Sequence, residues 1–103
     1  MATMNINVSS TIHAEILLES EFVLSNTPLI IDPLTNSYSD YSKLKLYKLT
    51  IINTSDTIIN PQLLENGKNS RFTADGYGEV TIELYIEDEE GYTDTDTITF
   101  NVN

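Results

Sequence analysis

The chain has 103 residues, of which sixteen are acidic and five are basic, so its formal net charge is −11 at pH 7. This length fits one domain with its own core. The excess of carboxylates disfavours nucleic acid and anionic membranes as partners, because phosphate groups are bound largely through Lys and Arg. The chain has no cysteine, which excludes a disulfide framework and a thiolate metal site. We therefore expect a single domain over residues 1–103, with no nucleic-acid or membrane partner.

The N-terminal part of the chain contains a polar segment followed by a segment with a strand pattern. Residues 1–11 are mostly small and polar, and they fit either an edge strand or an arm that orders on a partner. Residues 1–22 lack the basic and apolar regions of a signal peptide. Ile12–Glu19 alternates Ile12, Ala14, Ile16 and Leu18 with residues of the other phase. This period of two favours a strand over a helix, although Ala, Glu and Leu also favour helices.

The middle of the chain reads as short strands separated by turns. Leu29–Asp32 is an apolar run stopped by a proline, and Leu34–Ser42 has the composition of a loop. Lys43–Asn53 is the next strand. Its apolar residues occupy both phases, which predicts either a bulge near Leu46–Tyr47 or a strand that is partly covered on both faces.

Proline and alternation define the strands of the second half. Pro61 interrupts the apolar pattern of Thr57–Leu64, which predicts an edge strand or a bent strand. A short strand follows at Arg71–Ala74. Glu79–Glu87 then alternates strictly, and a closing strand places Ile98, Phe100 and Val102 in one phase. The four residues Asp88–Gly91 join these two strands as a tight acidic turn, with a glycine where a hairpin loop often needs positive φ.

These elements amount to about seven short strands at turn-marked intervals, with no repeat and no linker. Such a pattern in a chain of about 100 residues is typical of an immunoglobulin-like Greek-key β-sandwich. We therefore predict an all-β fold of this type.

The run from Phe72 to Val102 resembles the C-terminal half of polycystic-kidney-disease-type and related bacterial immunoglobulin-like domains. In that family a pattern G-x-Y-x-V-x-L-x-V-x-D-x-x-G leads into the last two strands. The matching positions in this chain are Gly78, Ile82, Leu84, Ile86, Asp88 and Gly91. Val80 stands where the family has tyrosine, and Tyr47 stands near the place of the family's central tryptophan. The resemblance implies a sandwich and leaves the function open, since this fold serves many tasks.

The acidic residues around the turn form the one constellation that suggests a ligand. Calcium prefers several carboxylate and carbonyl oxygens, and the candidate ligands are Asp88, Glu90, Asp94 and Asp96. Their spacing does not match an EF-hand. Acidic turns also add solubility and discourage pairing between sheet edges. We favour this structural use, with calcium as the alternative and no other cofactor expected.

Lysines and tyrosines provide the candidate interface residues. Lys43 and Lys45 are predicted to share a strand face, and Tyr85 lies on the polar face of its strand. These side chains could dock an acidic patch of a neighbouring copy or of another protein. The alternative for the lysines is protection of an edge strand against aggregation, and we prefer it.

The sequence offers no set of residues for catalysis, since its one histidine has no cysteine to pair with and no placed triad. We therefore expect a non-enzymatic protein. A small sandwich that starts with methionine, is rich in Asn, Thr and Ile, and lacks a signal peptide is typical of bacteriophage virion components. The expected role is a capsid or tail accessory protein, present in many copies and bound to other virion proteins through its strand edges or its N-terminal arm. The alternative is an extracellular spacer or weak glycan-binding domain of a bacterial surface protein.

Overall fold

A computed structural model describes residues 11–66 and 69–103, and the secondary structure of these residues consists entirely of β-strands. Residues 1–10, most of the segment predicted to be an edge strand or an arm, lie outside the described residues. Within them no helix is long and apolar enough to cross a membrane. The strands are β1 (Ile12–His13), β2 (Leu17–Leu18), β3 (Leu29–Asp32), β4 (Tyr38–Ser39), β5 (Leu44–Thr54), β6 (Ile59–Asn66), β7 (Asn69–Asp75), β8 (Gly78–Asp88) and β9 (Thr93–Val102).

The strands form two main sheets that make a sandwich. One sheet has the order β2-β3-β7-β6 and the other has the order β5-β8-β9, and all of their neighbouring strands are antiparallel. This is the four-plus-three arrangement of an immunoglobulin constant-type sandwich. The prediction of an all-β sandwich of about seven strands is therefore confirmed. The described residues contain nine strands because β1 and β4 form an additional two-stranded ladder.

The core lies between the two sheets and is built from the alternating residues that the sequence places in one phase. Val80, Ile82, Leu84 and Ile86 of β8 are all 0% exposed. In the opposite sheet Phe72 is also buried, and its ring meets that of Phe100 edge to face, with 5.3 Å between centroids. Alternation within the predicted hairpin therefore marks the buried face of the sheet correctly.

The segment that follows Thr11 is extended, as predicted, but it is divided between two sheets. β1 pairs with β4, whereas β2 pairs with β3. Ala14 and Ile16, which lie between these strands, are buried. The predicted strand phase is correct, and the predicted continuous strand over Ile12–Glu19 is not found because the chain crosses from one ladder to the other.

Strand β5 contains irregular pairing, as its mixed pattern predicts. The register with β8 shifts between Leu44 and Leu46 and again between Ile51 and Asn53. The first shift makes Lys45 the additional residue, so this bulge lies just before the predicted position. Leu49 faces the core, and its backbone N–H donates to Glu65 Oε1 of β6 at 3.0 Å.

Strand β6 lies at the edge of the four-stranded sheet, where proline is tolerated. Its register with β7 shifts between Ile59 and Gln62, and Asn60 has a positive φ of 51°. Of the two predicted alternatives, the edge strand is therefore confirmed, and the irregular pairing lies beside Pro61.

Candidate functional site

The most highly connected polar residue at the acidic turn is Asp88, whose side chain is 0% exposed. Its Oδ1 atom accepts the backbone N–H groups of Glu90 and Tyr92, each at 2.9 Å. Its Oδ2 atom accepts the hydroxyl of Ser39 at 2.6 Å. One carboxylate thus holds the β8–β9 turn in shape and also joins it to strand β4.

These hydrogen bonds stabilise the charged form of Asp88. Burial raises the pKa of a carboxyl group because it disfavours the charged form. Here the hydrogen bonds from the Ser39 hydroxyl and from the backbone of Tyr92 and Glu90 outweigh burial, and the pKa of Asp88 lies below its ordinary value. The residue is therefore a charged structural acceptor at neutral pH.

Backbone hydrogen bonds complete the connection between the turn and the loop that precedes β5. Asp88 N–H donates to the carbonyl of Tyr92 at 2.9 Å, and Glu89 N–H donates to the carbonyl of Lys43 at 2.9 Å. On the other side, Tyr41 N–H donates to the Ser39 hydroxyl at 3.1 Å. The turn and the loop are therefore held together as one unit centred on Asp88.

Two aromatic rings stack on the surface of this unit. The ring centroids of Tyr41 and Tyr92 lie 3.9 Å apart with an interplanar angle of 21°. The two residues remain 39% and 46% exposed, respectively. Exposed carboxylates lie beside them in both segments. We refer to this region as the Tyr92 end, defined by Asp40, Tyr41, Glu89, Glu90 and Tyr92.

The four calcium candidates lie in different surroundings. Glu90 is exposed on the turn, whereas Asp88 is buried beneath it. Asp94 and Asp96 point to the inner side of β9, where each accepts a backbone N–H at 2.8 Å, from Ala14 and Ile16 respectively. No group of three or more potential metal-ligating side chains is found within residues 11–66 and 69–103. Three of the four carboxylates thus bind the protein's own backbone.

Two of the three interface candidates share one partner. Lys45 Nζ lies 2.7 Å from Glu87 Oε2, and the hydroxyl of Tyr85 donates to Glu87 Oε1 at 3.0 Å. The hydrogen bond from Lys45, followed by that from Tyr85, lowers the pKa of Glu87, and Glu87 raises the pKa of Lys45. Lys43 is exposed beside the Tyr92 end. Lys45 is the additional residue of the bulge in β5, so it lies outside the regular pairing with β8, whereas Lys43 precedes the strand.

A second exposed region lies at the other end of β8 and was not predicted from the sequence. Phe22, Tyr77 and Leu24 are 78%, 68% and 57% exposed. Val102 pairs with Gly78 on one side and forms a parallel bridge to Val23 on the other. Phe22 and Leu24 flank Val23, and Tyr77 precedes Gly78, so these three residues belong to one end of the sandwich. We refer to them as the Phe22 end.

A shallow depression of about 200 Å³ lies at the Phe22 end. Its lining includes the apolar residues Phe22, Leu24, Pro28 and Leu29, together with Glu19. This volume is smaller than typical small-molecule pockets of about 300–1,000 Å³. It is better suited to one side chain of a partner protein. The apolar run Phe22–Leu24 was the available sequence signal, but it does not show which of its residues lack a covering strand.

No protein-family model matches this chain, and no curated protein matches it.

Proposed function

We propose that this chain is a non-enzymatic structural protein of a bacteriophage virion, which docks in many copies on the capsid or tail through its Phe22 end. The observation that carries the proposal is the combination of exposed Phe22, Leu24 and Tyr77 with the adjacent depression. Exposed apolar side chains that are grouped together favour a protein partner, whereas single ones are common on any surface.

The position of Phe22 strengthens this assignment. Its segment is held at the edge of the three-stranded sheet, because Asn103 N–H donates to the carbonyl of Val23 and Ser25 N–H donates to the carbonyl of Asn103, both at 2.9 Å. The exposed ring of Phe22 is therefore carried next to hydrogen-bonded backbone. A preorganised aromatic anchor loses little conformational entropy when it binds, and such anchors dominate the energy of many interfaces.

The segment Phe72–Val102 resembles bacterial immunoglobulin-like domains. This resemblance supports a role in assembly, since sandwiches of this type recur as accessory proteins on phage heads and tails. The same resemblance supports the alternative, a spacer or weak glycan binder of a bacterial surface protein. The two functions predict different locations for the protein and different partners for the Phe22 end.

Co-sedimentation with virions tests the proposal. Purified protein is mixed with virions that lack it, and the bound copies per particle are counted by quantitative mass spectrometry. We expect saturable binding at a copy number related to the lattice. Phe22→Ser should reduce binding at least tenfold, as expected for a hot-spot aromatic residue.

Leu46→Ser is the matched control, because Leu46 is 42% exposed on β5, away from the Phe22 end. It should bind as the wild-type protein does. Absence of the protein from native virions, together with no saturable binding in the reconstitution, would refute the proposal. Equal losses for the two variants would refute the assignment of the surface.

A further inference from the structure

We infer that the Tyr92 end is a second interaction surface, which binds a basic segment of another protein by stacking an Arg or Lys side chain on the Tyr41–Tyr92 pair. This inference goes beyond the proposed function. The Phe22 end and the Tyr92 end lie at opposite ends of β8, whose eleven residues span about 36 Å at about 3.3 Å per residue. A protein that docks through the first end therefore leaves the second end accessible.

The aromatic pair is ordered before any partner arrives. Each ring covers one face of the other, and both backbones are fixed by hydrogen bonds to the Asp88 unit. A partner that stacks on an outer ring face would not have to immobilise a mobile tyrosine. Affinity gains from such preorganisation because less conformational entropy is lost on binding.

The charges around the pair favour a cation. Asp40, Glu89 and Glu90 are exposed. Within residues 40–43 and 89–92, which the structure describes, Lys43 is the one exposed lysine. Asp40 Oδ2 accepts the backbone N–H of Thr11 at 3.1 Å. This donor is neutral, so it does not cancel the negative charge of the carboxylate. Three exposed carboxylates thus oppose one ammonium group, and the net charge of −11 increases the local concentration of cations.

The chemistry of a guanidinium group matches both features of this surface. Its planar face stacks on a tyrosine ring, and its N–H groups bind carboxylates in pairs. A neutral sugar would also stack on a tyrosine, but it gains nothing from the negative field. We therefore assign the surface to a basic peptide segment and treat a glycan as the competing result.

The experiment is a titration of the protein with hexa-arginine, followed by two-dimensional NMR of the backbone amides. We expect saturable shifts centred on Glu89–Thr93 and on the loop at Tyr41. Tyr92→Leu should weaken the binding about three- to fivefold, the contribution expected of an exposed cation–π contact. Tyr92→Phe keeps the ring and should bind as the wild-type protein does.

Tyr77→Leu is the matched control, because Tyr77 is an exposed tyrosine at the Phe22 end. It should leave the affinity unchanged. Three results would overturn the inference, two of which concern the affinity and the type of ligand. In one, Tyr92→Leu binds hexa-arginine as tightly as the wild type, so that binding is only general charge attraction. In the other, neutral oligosaccharides give the same shifts and hexa-arginine does not.

The location of the shifts in the wild-type protein tests the inference even if Tyr92→Leu fails to fold. Hexa-arginine shifts that are spread over all acidic surfaces would also overturn the inference. The two proposals fail independently, since virion docking is read from Phe22 and basic-peptide binding is read from Tyr92.

Discussion

Asp94 Oδ2 accepts a hydrogen bond of 2.8 Å from the backbone N–H of Ala14, which lies 80 residues earlier in the chain. Asp96 does the same for Ile16. Asp94 and Asp96 lie two positions apart, as do the two residues whose N–H groups they accept, so the two hydrogen bonds are in register. These side-chain hydrogen bonds attach the segment between β1 and β2 to β9.

We expect Asp94→Ala and Asp96→Ala each to lower the free energy of unfolding by about 1.5–3 kcal/mol, because each leaves a backbone N–H without its charged acceptor. Hydrogen exchange should become faster at Ala14 in the first variant and at Ile16 in the second. Asp56→Ala, at an exposed turn position, should change neither property. Unchanged exchange at Ala14 and Ile16 would contradict the attachment described here.

Two serines, the half-buried Ser39 and the buried Ser70, are expected to respond in opposite directions to the same substitution. Ser39→Ala removes a donor from the charged Asp88 and should lower the free energy of unfolding by about 1–3 kcal/mol. The hydroxyl of Ser70 is buried and finds no hydrogen-bond partner among the described residues. Ser70→Ala should therefore leave stability unchanged or raise it by up to about 1 kcal/mol. Urea denaturation of both variants checks this, and a loss in Ser70→Ala as large as that in Ser39→Ala would disprove it.

Stability should decrease in acid because of Asp88. Its pKa in the folded protein is lowered, whereas the pKa of an unfolded aspartate is about 3.9. The charged form therefore contributes stability that is present above about pH 4 and is lost as the pH falls through the folded pKa. Glu15, Asp32 and Glu87 also have lowered pKa values and act in the same direction.

Asp88→Asn isolates the contribution of this residue. The variant should be less stable than the wild type at pH 7, and the difference should shrink as the pH is lowered below about 4. Unfolding by urea at pH 7, 4 and 3 measures it. A difference that stays constant over this range would show that the charge of Asp88 contributes nothing.

Two glycines with positive φ should differ in their tolerance of alanine. Gly76 has φ of 98°, and an added Cβ would lie 1.9 Å from the carbonyl oxygen of Thr57. Gly91 has φ of 93°, but an added Cβ would meet nothing within 4 Å. Gly91→Ala should cost about 1–2 kcal/mol from backbone strain alone. Gly76→Ala should cost several times more, and thermal denaturation of the two variants compares them directly.

The fold was largely predictable because its signals are local. Alternation in β8 and β9 identified the buried face, Pro61 identified an edge strand, and the mixed phases of β5 indicated irregular pairing. The division of Ile12–Glu19 between two ladders was not predictable from alternation. It depends on which strands lie on either side, and no periodicity in one segment contains that information.

The candidate site was less predictable than the fold. The sequence drew attention to Asp88, Asp94 and Asp96 as oxygen ligands, but their partners are Ser39, Ala14 and Ile16. These partners lie far away in sequence, and two of them contribute only backbone N–H groups, which carry no residue signature. The stacking of Tyr41 on Tyr92 likewise follows from the joining of two distant loops.

The contact between Glu65 and Leu49 has a consequence for the behaviour of the protein at high concentration. Strand β5 is an edge strand, and an exposed row of N–H groups is a template on which other chains can add. The carboxylate of Glu65 accepts the N–H of Leu49 in the middle of that row and places a negative charge at the edge. Any strand that approached this edge would have to displace the carboxylate first. Glu65→Ala should therefore make this edge more prone to pair with other chains, and fibril formation by the variant and the wild type at high concentration measures the difference.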